Sequence, residues 1–99
     1  MSDGFVDFAK INAAALRRVD ELLRRWLPDG RWEGNEYVAR NPKRADRHPG
    51  SFKINRSGRW GDFAAGAYGS DPISLAAYLF DLRQLEAAKR LAETLGIAT

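Results

Sequence analysis

Apolar residues recur at spacings of three and four in two parts of the chain, the pattern typical of helices that bury one face. The first part runs from about Val6 to Leu27, where Pro28 and Gly30 end it. The second follows Asp71-Pro72, a strong helix start because Asp71 can accept hydrogen bonds from the first free amides. We therefore predict an N-terminal helix within residues 1–27 and two C-terminal helices within residues 72–96.

The two C-terminal helices should be separated by a break at residues 81–83. The first of them is largely apolar and should be the buried one. The last should end at Gly96, a good C-terminal cap. Its predicted core stripe consists of Leu85, Ala88, Leu91, Ala92 and Leu95.

Residues 31–71 lack this helical spacing and contain short segments typical of strands, separated by turn and loop signals. Phe52 and Ile54 share one face and Lys53 the other, and the turn at Ser57-Gly58 joins this strand to residues 59–63 as an antiparallel hairpin. Short strands are expected at 31–32 and 36–40, an exposed loop at 41–50 and a tight loop at 64–70. The prediction is one α+β domain, residues 1–99, with a small antiparallel sheet flanked by helices.

The composition narrows the class of protein. The chain has 99 residues and no cysteine, which excludes disulfides, thiolate catalysis and cysteine-bound zinc. No apolar run approaches the ~20 residues needed to cross a bilayer, and the N-terminus MSDGFVDFAK lacks the features of a signal peptide. We expect a cytoplasmic protein, either whole or a piece of a longer one.

Positive charge is concentrated in the predicted sheet region. Seven Lys or Arg residues and one acid lie between Arg40 and Trp60, a local charge of +6 in a chain whose net charge is +3. Such a cluster binds a phosphate backbone through counterion release, although a solvated, solubilising loop is the alternative. Trp60 either stacks on a base or packs in the core. The predicted nucleic-acid-binding residues are Arg40, Lys43, Arg44, Arg47, His48, Lys53, Arg56, Arg59 and Trp60.

No catalytic site is predicted. Asp46, Asp62 and Asp71 form no convincing carboxylate pair, and Ser51 has no base near it in sequence. Asp71 is a helix cap, and Asp62 is expected to hold the amides of residues 64–66. No phosphate-cradling or dinucleotide motif occurs. The chain is therefore expected not to be an enzyme.

The ordered motifs of the chain resemble those of a known family. They are NPKRADRHPGSFKIN, GRWGDFAAGAYGSDPISLAAYLF and LEAAKRLAETLG. Together they are similar to the N-terminal zinc-binding domain of bacterial-type DNA primases, most closely to its phage, plasmid and mobile-element versions. In that family a basic loop, a β-hairpin, a Gly-rich turn and two helices follow one another, over a stretch equivalent to residues 27–96. The resemblance implies a module that works beside a separate polymerase domain and helps to recognise template DNA.

The chain departs from this family at the metal ligands. A Cys and His pair would fall around Ala39–Lys43 and a Cys-x-x-Cys pair on Asp62 and Ala65, where no thiolate is available. Coordination by Asp46, His48 and Asp62 would make a poor structural zinc site. We therefore expect no metal and no other cofactor. The aromatic residues expected to replace the stabilisation by zinc are Trp32, Tyr37, Phe52, Trp60, Phe63 and Tyr68.

Two hypotheses of function follow. The first is a non-catalytic module that binds single-stranded DNA in a primase or replication system of a phage, plasmid or mobile element. The second is an accessory subunit that docks on a neighbouring polymerase or helicase, which an exposed apolar patch around Phe5, Phe8 and Trp26 would favour. The expected partners are thus single-stranded DNA and a primase, polymerase or helicase protein, with neither a membrane nor a metal.

Overall fold

The computed structural model describes residues 5–44 and 50–97. It confirms the predicted α+β class. The helices are α1 Phe8–Arg17, α2 Val19–Trp26, α3 Pro72–Phe80 and α4 Gln84–Leu95. The strands are β1 Arg31–Glu33, β2 Glu36–Ala39, β3 Phe52–Asn55, β4 Trp60–Asp62 and β5 Ala67–Gly69. Within the described ranges no helix is long and apolar enough to cross a membrane.

The sheet is an antiparallel meander in the order β1-β2-β3-β4-β5. The hairpin predicted around Ser57-Gly58 is present, with Ile54 opposite Trp60. Gly58 lies at φ 98°, a conformation that favours glycine. The fifth strand was not predicted, because its segment is rich in glycine, which is depleted in strands.

One face of the sheet, the inner face, is covered by helices. Tyr37, Ile54 and Trp60 lie side by side on this face by register and are all buried. They share a hydrophobic cluster with Leu23 of α2 and Leu75 of α3. A second cluster joins α1 and α2 to α3 and α4, around residues that include Ile11, Ile73 and Leu91. The sheet is thus held from one side only.

The N-terminal helix is divided in two, which corrects the prediction of one helix. Arg18 leaves the helical region at φ −125° and ψ 28°. Its amide donates to the carbonyl of Ala15, and its guanidinium binds Glu21 and the Leu95 carbonyl. The break turns α2 so that Val19 packs on the sheet cluster, while Ala15 of α1 packs on the helical cluster. A periodicity of three and four continues through the break, so it did not reveal the bend.

The C-terminal helices begin and end where the sequence predicts. Asp71 and Ser74 form a capping box at α3, Asp81 closes α3 in the left-handed region, and Gly96 closes α4. One prediction for α4 was wrong: Leu85 is 50% exposed, and Ala87 takes a core position instead. Leu85 lies three residues before Ala88 and Ala87 lies four before Leu91, so both fit the helical spacing and the sequence pattern alone did not separate them.

The aromatic residues divide between the two faces of the sheet. Tyr37 and Phe52 are buried, as predicted, and Trp60, for which two positions were open, is buried as well. Phe63 and Tyr68 were wrongly placed in the core and are 96% and 84% exposed. These two residues belong to the other side of the sheet and are part of the site described below.

Candidate nucleic-acid interface

The side of the sheet that faces away from the helices, here the outer face, carries the alternate residues of the strands. Lys53, Gly61 and Tyr68 are neighbours across β3, β4 and β5. Phe63 lies next to Ser51, to whose carbonyl its amide donates at 3.2 Å. Gly61 has no side chain, so the protein surface is depressed at the middle of this row. The lysine side chain stands on one side of the depression and the tyrosine side chain on the other.

These residues border an open groove of about 650 Å³. Its lining residues are Glu36, Ser51, Lys53, Asn55, Arg59, Trp60, Gly61, Asp62, Phe63, Gly66, Ala67 and Tyr68. Phe63 and Tyr68 line the groove with their rings exposed, and Lys53 and Arg59 supply positive charge. Aromatic platforms beside cations suit single-stranded nucleic acid, because every base has a face that stacks and every nucleotide carries a phosphate.

The structure separates the predicted cations. Lys53 and Arg59 line the groove. Arg40 pairs with Asp29, with 3.6 Å between Nε and Oδ2. The Arg56 guanidinium lies 3.8 Å from the centre of the Trp32 ring. Two further predicted residues, Arg47 and His48, lie outside the described residues.

Lys43 and Arg44 contact residues at the ends of α3 and β4. The ammonium of Lys43 pairs with Asp81 and lies 5.1 Å from the centre of the Tyr78 ring. The guanidinium of Arg44 donates from Nε to Asp62 at 3.2 Å and from a terminal nitrogen to the Ser51 hydroxyl at 3.4 Å. Both cations are therefore engaged within the protein, and neither is among the residues that line the groove.

Trp60 is among the residues that line the groove, but it belongs to the buried cluster of the inner face. It is 6% exposed, and its indole Nε1 donates to the Ser74 hydroxyl at 2.9 Å. Its ring packs against Tyr78 at 5.0 Å, and a Cβ on Gly69, its partner in β5, would collide with the indole. Of the two interpretations of Trp60, the core position is the one that the structure shows. No ring face is open to a base.

Asp62 is the centre of a buried polar cluster at the end of β4. Its Oδ2 accepts from the Asn41 amide at 2.8 Å and from Arg44, and its Oδ1 accepts from the Ala64 and Ala65 amides at 2.9 and 3.3 Å. Asn41 also donates to the Tyr78 hydroxyl at 2.8 Å. The prediction that Asp62 holds the following loop amides is confirmed for these two residues. The cluster joins the start of the 41–50 loop to the β4–β5 turn.

The hydrogen bonds of this cluster keep the Asp62 carboxylate ionised. Burial by itself raises the pKa of Asp62, but hydrogen bonds from Asn41, then from the Ser51 side chain and then from the loop amides of Ala65 and Ala64 outweigh it and hold the pKa below its ordinary value. Asp62 is therefore ionised at neutral pH. It is 1% exposed, so its negative charge is satisfied from inside the protein.

The same cluster does not fit a structural zinc ion. The segments that correspond to the two ligand pairs of the resembled family do meet, since Asn41 of the first pair's segment donates to Asp62 of the second, and Arg44, directly after the first segment, donates there too. Arg44 is a cation and Ala65 has no donor atom, while the Asp62 oxygens already accept several hydrogen bonds. Among residues 5–44 and 50–97 no group of three or more His, Cys, Asp or Glu side chains is placed to hold a metal.

The fold is shared with a protein of known structure. Neither a family model nor a curated protein matches the chain. A crystal structure of the Aquifex aeolicus primase, comprising zinc-binding and RNA polymerase domains, superposes with a TM-score of 0.71 at 22% sequence identity. The match covers 97% of this chain and 23% of that one. At this identity the match shows the fold alone, and this chain spans about a quarter of the primase chain.

The sequence missed the exposed aromatics of the groove. A signal for Phe63 existed, since alternation from buried Trp60 puts Gly61 and Phe63 on the same face as Lys53. Tyr68 had no comparable signal, because its strand was hidden in a Gly-rich segment. Glu36 and Asn55 were also not singled out, since each looks like an ordinary polar strand residue.

Proposed function

We propose that the chain is a non-catalytic module that binds single-stranded DNA in a primase-related replication system, with the outer face of the sheet as its binding surface. The observation that carries this proposal is the pairing of two almost fully exposed aromatic rings with Lys53 and Arg59 around one groove. The fold shared with a primase structure supports the replication setting. A phage, plasmid or mobile element as the source stays a prediction from the sequence motifs.

Stacking supplies the contact with the bases. Rings that stay exposed contribute little to folding, so Phe63 and Tyr68 gain contacts only when something covers them. A base stacked on an aromatic ring contributes about 1–3 kcal/mol. Gly61 keeps the groove open between Lys53 and Tyr68, so that a base can lie flat against the ring.

The cations hold the phosphates. Lys53 and Arg59 are exposed and neither makes an ion pair within the described residues, so both charges are available to a ligand. The loop residues Arg47 and His48 stay predicted contributors. Binding through few phosphates should have a modest salt dependence, with a log–log slope of about −0.7 for each phosphate contacted on single strands.

A non-enzymatic role is supported by what the carboxylates do. Asp62 is saturated by hydrogen bonds, Asp71 caps α3, and Asp20 accepts from Trp32 and Arg24. These three carboxylates therefore have structural roles. Primer synthesis would then reside in a separate polymerase domain or protein.

The test uses charge reversal in the groove. The double variant Lys53→Glu, Arg59→Glu should lower affinity for a fluorescent single-stranded oligonucleotide by at least tenfold, measured by anisotropy, and should flatten the salt dependence. The double variant Arg25→Glu, Lys89→Glu makes the same charge change on exposed helix positions and is the control. Equal losses of affinity in the groove variant and the control would show that binding depends only on nonspecific charge. Unchanged affinity in the groove variant would refute the assignment of the surface.

A docking module is the second candidate, and one observation favours it. Phe80 and Leu85 are each 50% exposed, and Phe80 packs edge-on against Trp26 with 5.8 Å between ring centres. Together with Phe5, which is 79% exposed, they put apolar surface on the helical side, away from the groove. In the Aquifex aeolicus structure the comparable fold shares a chain with an RNA polymerase domain.

The two candidates are separated by variants on opposite sides of the molecule. Phe80→Glu with Leu85→Glu should abolish capture of a polymerase or helicase encoded nearby and leave DNA affinity unchanged if docking is the function. If only the groove variant has an effect, and this effect is on DNA affinity, DNA binding is the function and the docking candidate is rejected.

A further inference from the structure

The groove contains an acidic residue, which is unexpected on a surface that binds phosphates. Glu36 lines it at the β1–β2 end, and Glu33 lies directly opposite Glu36 in β1. Like charges directly opposite each other on a sheet are destabilising. The negative charge of Glu33 is balanced by an ion pair with Arg31, with 3.4 Å between Nε and Oε2. Glu36 has no such ion pair among the residues that the structure describes. A ligand that donates hydrogen bonds to the Glu36 carboxylate would offset its negative charge.

Asn55 is the neighbour of Glu36 on β3, directly opposite by register, and also lines the groove. Opposite residues of an antiparallel pair have Cβ atoms about 5 Å apart. The Asn55 oxygen accepts from the Ser57 amide at 2.9 Å. Because only oxygen can accept there, the orientation of the side-chain amide is fixed, and its NH₂ group remains as a donor.

The pair therefore presents two carboxylate acceptors beside one amide donor. The Watson–Crick edge of guanine presents the complement, with N1–H and the N2 amino group as donors and O6 as acceptor. Thymine offers one donor between two carbonyls, so one of its oxygens would face the carboxylate. In single strands this edge is free to be read. Glutamate and asparagine are also side chains that read bases in known complexes.

We propose that Glu36 and Asn55 form a base-selecting subsite that prefers guanine within the single-stranded DNA groove. The inference rests on the proposed DNA-binding function and adds the identity of one base. Glu36 on β2 and Tyr68 on β5 are three strand spacings apart, roughly 14 Å. The selected guanine and the base stacked on Tyr68 are thus different nucleotides of one strand that crosses the sheet past Lys53.

The experiment compares thymidine oligonucleotides that carry a single central guanine, hypoxanthine, cytosine or adenine. The wild-type chain should bind the guanine-containing strand about tenfold more tightly than the all-thymidine strand, near the lower end of what a good bidentate contact provides. Hypoxanthine lacks the N2 amino group and should fall between the two. Glu36→Gln should remove the preference by weakening the guanine complex, while its affinity for thymidine stays equal or rises.

The matched control is Glu33→Gln, which removes the same charge from the adjacent strand outside the groove. It should keep the guanine preference. If Glu36→Gln raises affinity for all strands alike, Glu36 only repels phosphate and the subsite is refuted. Equal wild-type affinity for every strand also refutes the subsite but leaves the DNA-binding function standing. Failure to bind any strand would overturn both.

Discussion

Aromatic residues on the two faces of one small sheet have opposite relations to solvent. On the inner face Phe52 is fully buried, and Trp60 is 6% exposed. On the outer face Phe63 is 96% exposed and Tyr68 84%. Residues of the same chemical type thus contribute to folding on one side and remain available for a ligand on the other. The helices decide which side is which, because they cover only one.

The largest effect is expected when one aromatic residue is replaced on each face. Phe52→Ala should lower the free energy of unfolding by about 3–5 kcal/mol, because it leaves a cavity in the inner cluster. Tyr68→Ala should change it by less than about 0.5 kcal/mol, as expected for an exposed side chain. Urea denaturation followed by tryptophan fluorescence measures both. A loss of similar size in Tyr68→Ala would mean that the outer face is also part of the core.

A smaller effect is expected at the polar edge of the inner face. Asp62→Asn should cost about 2–3 kcal/mol of stability, because it weakens the hydrogen bonds to Asn41 and Arg44 and leaves buried groups without their charged partner. Ser70→Ala, an exposed position beside α3, is a suitable control. Full stability in Asp62→Asn would show that the cluster is not needed to hold the 41–50 loop to the β4–β5 turn.

The same carboxylate gives a defined pH dependence. Its pKa is lowered in the folded protein, so the unfolded chain binds the proton more readily. The stabilisation is therefore complete above the unfolded value of about 3.9 and is lost as the pH falls through the lower folded pKa. Denaturation midpoints between neutral pH and pH of about 3 should drop more steeply in the wild type than in Asp62→Asn. Parallel curves would contradict this assignment.

The smallest expected effect is that of chelation. Since the inner aromatics and the Asp62 cluster hold the sheet and the sequence has no cysteine, EDTA should leave the thermal midpoint unchanged. Circular dichroism with and without EDTA measures this, and added zinc provides the converse control. A fall in the midpoint on chelation would show that a metal contributes to the fold after all.

Sequence by itself determined the features that depend on neighbouring residues. The Asp71-Pro72 helix start, the Ser57-Gly58 turn and the Gly96 cap are where local hydrogen bonding and backbone preference put them. The α+β class followed from the same periodicities, and the absence of a cysteine site followed from composition. Each of these depends on a few consecutive side chains, so no distant contact was needed to predict it.

Tertiary structure alone decided which residues meet and which face is covered. Alternation places Trp60 and Phe63 on opposite faces, but only the packing of α2 and α3 shows that Trp60 is inside. Likewise, Lys43 and Arg44 looked like free cations of a loop, and only the fold brings them to Asp81 and Asp62. The cluster of positive charge in the sequence therefore divides in space, with Lys53 and Arg59 on the groove and the other two on the protein's own carboxylates. Long-range contacts made that division, and no local pattern encodes it.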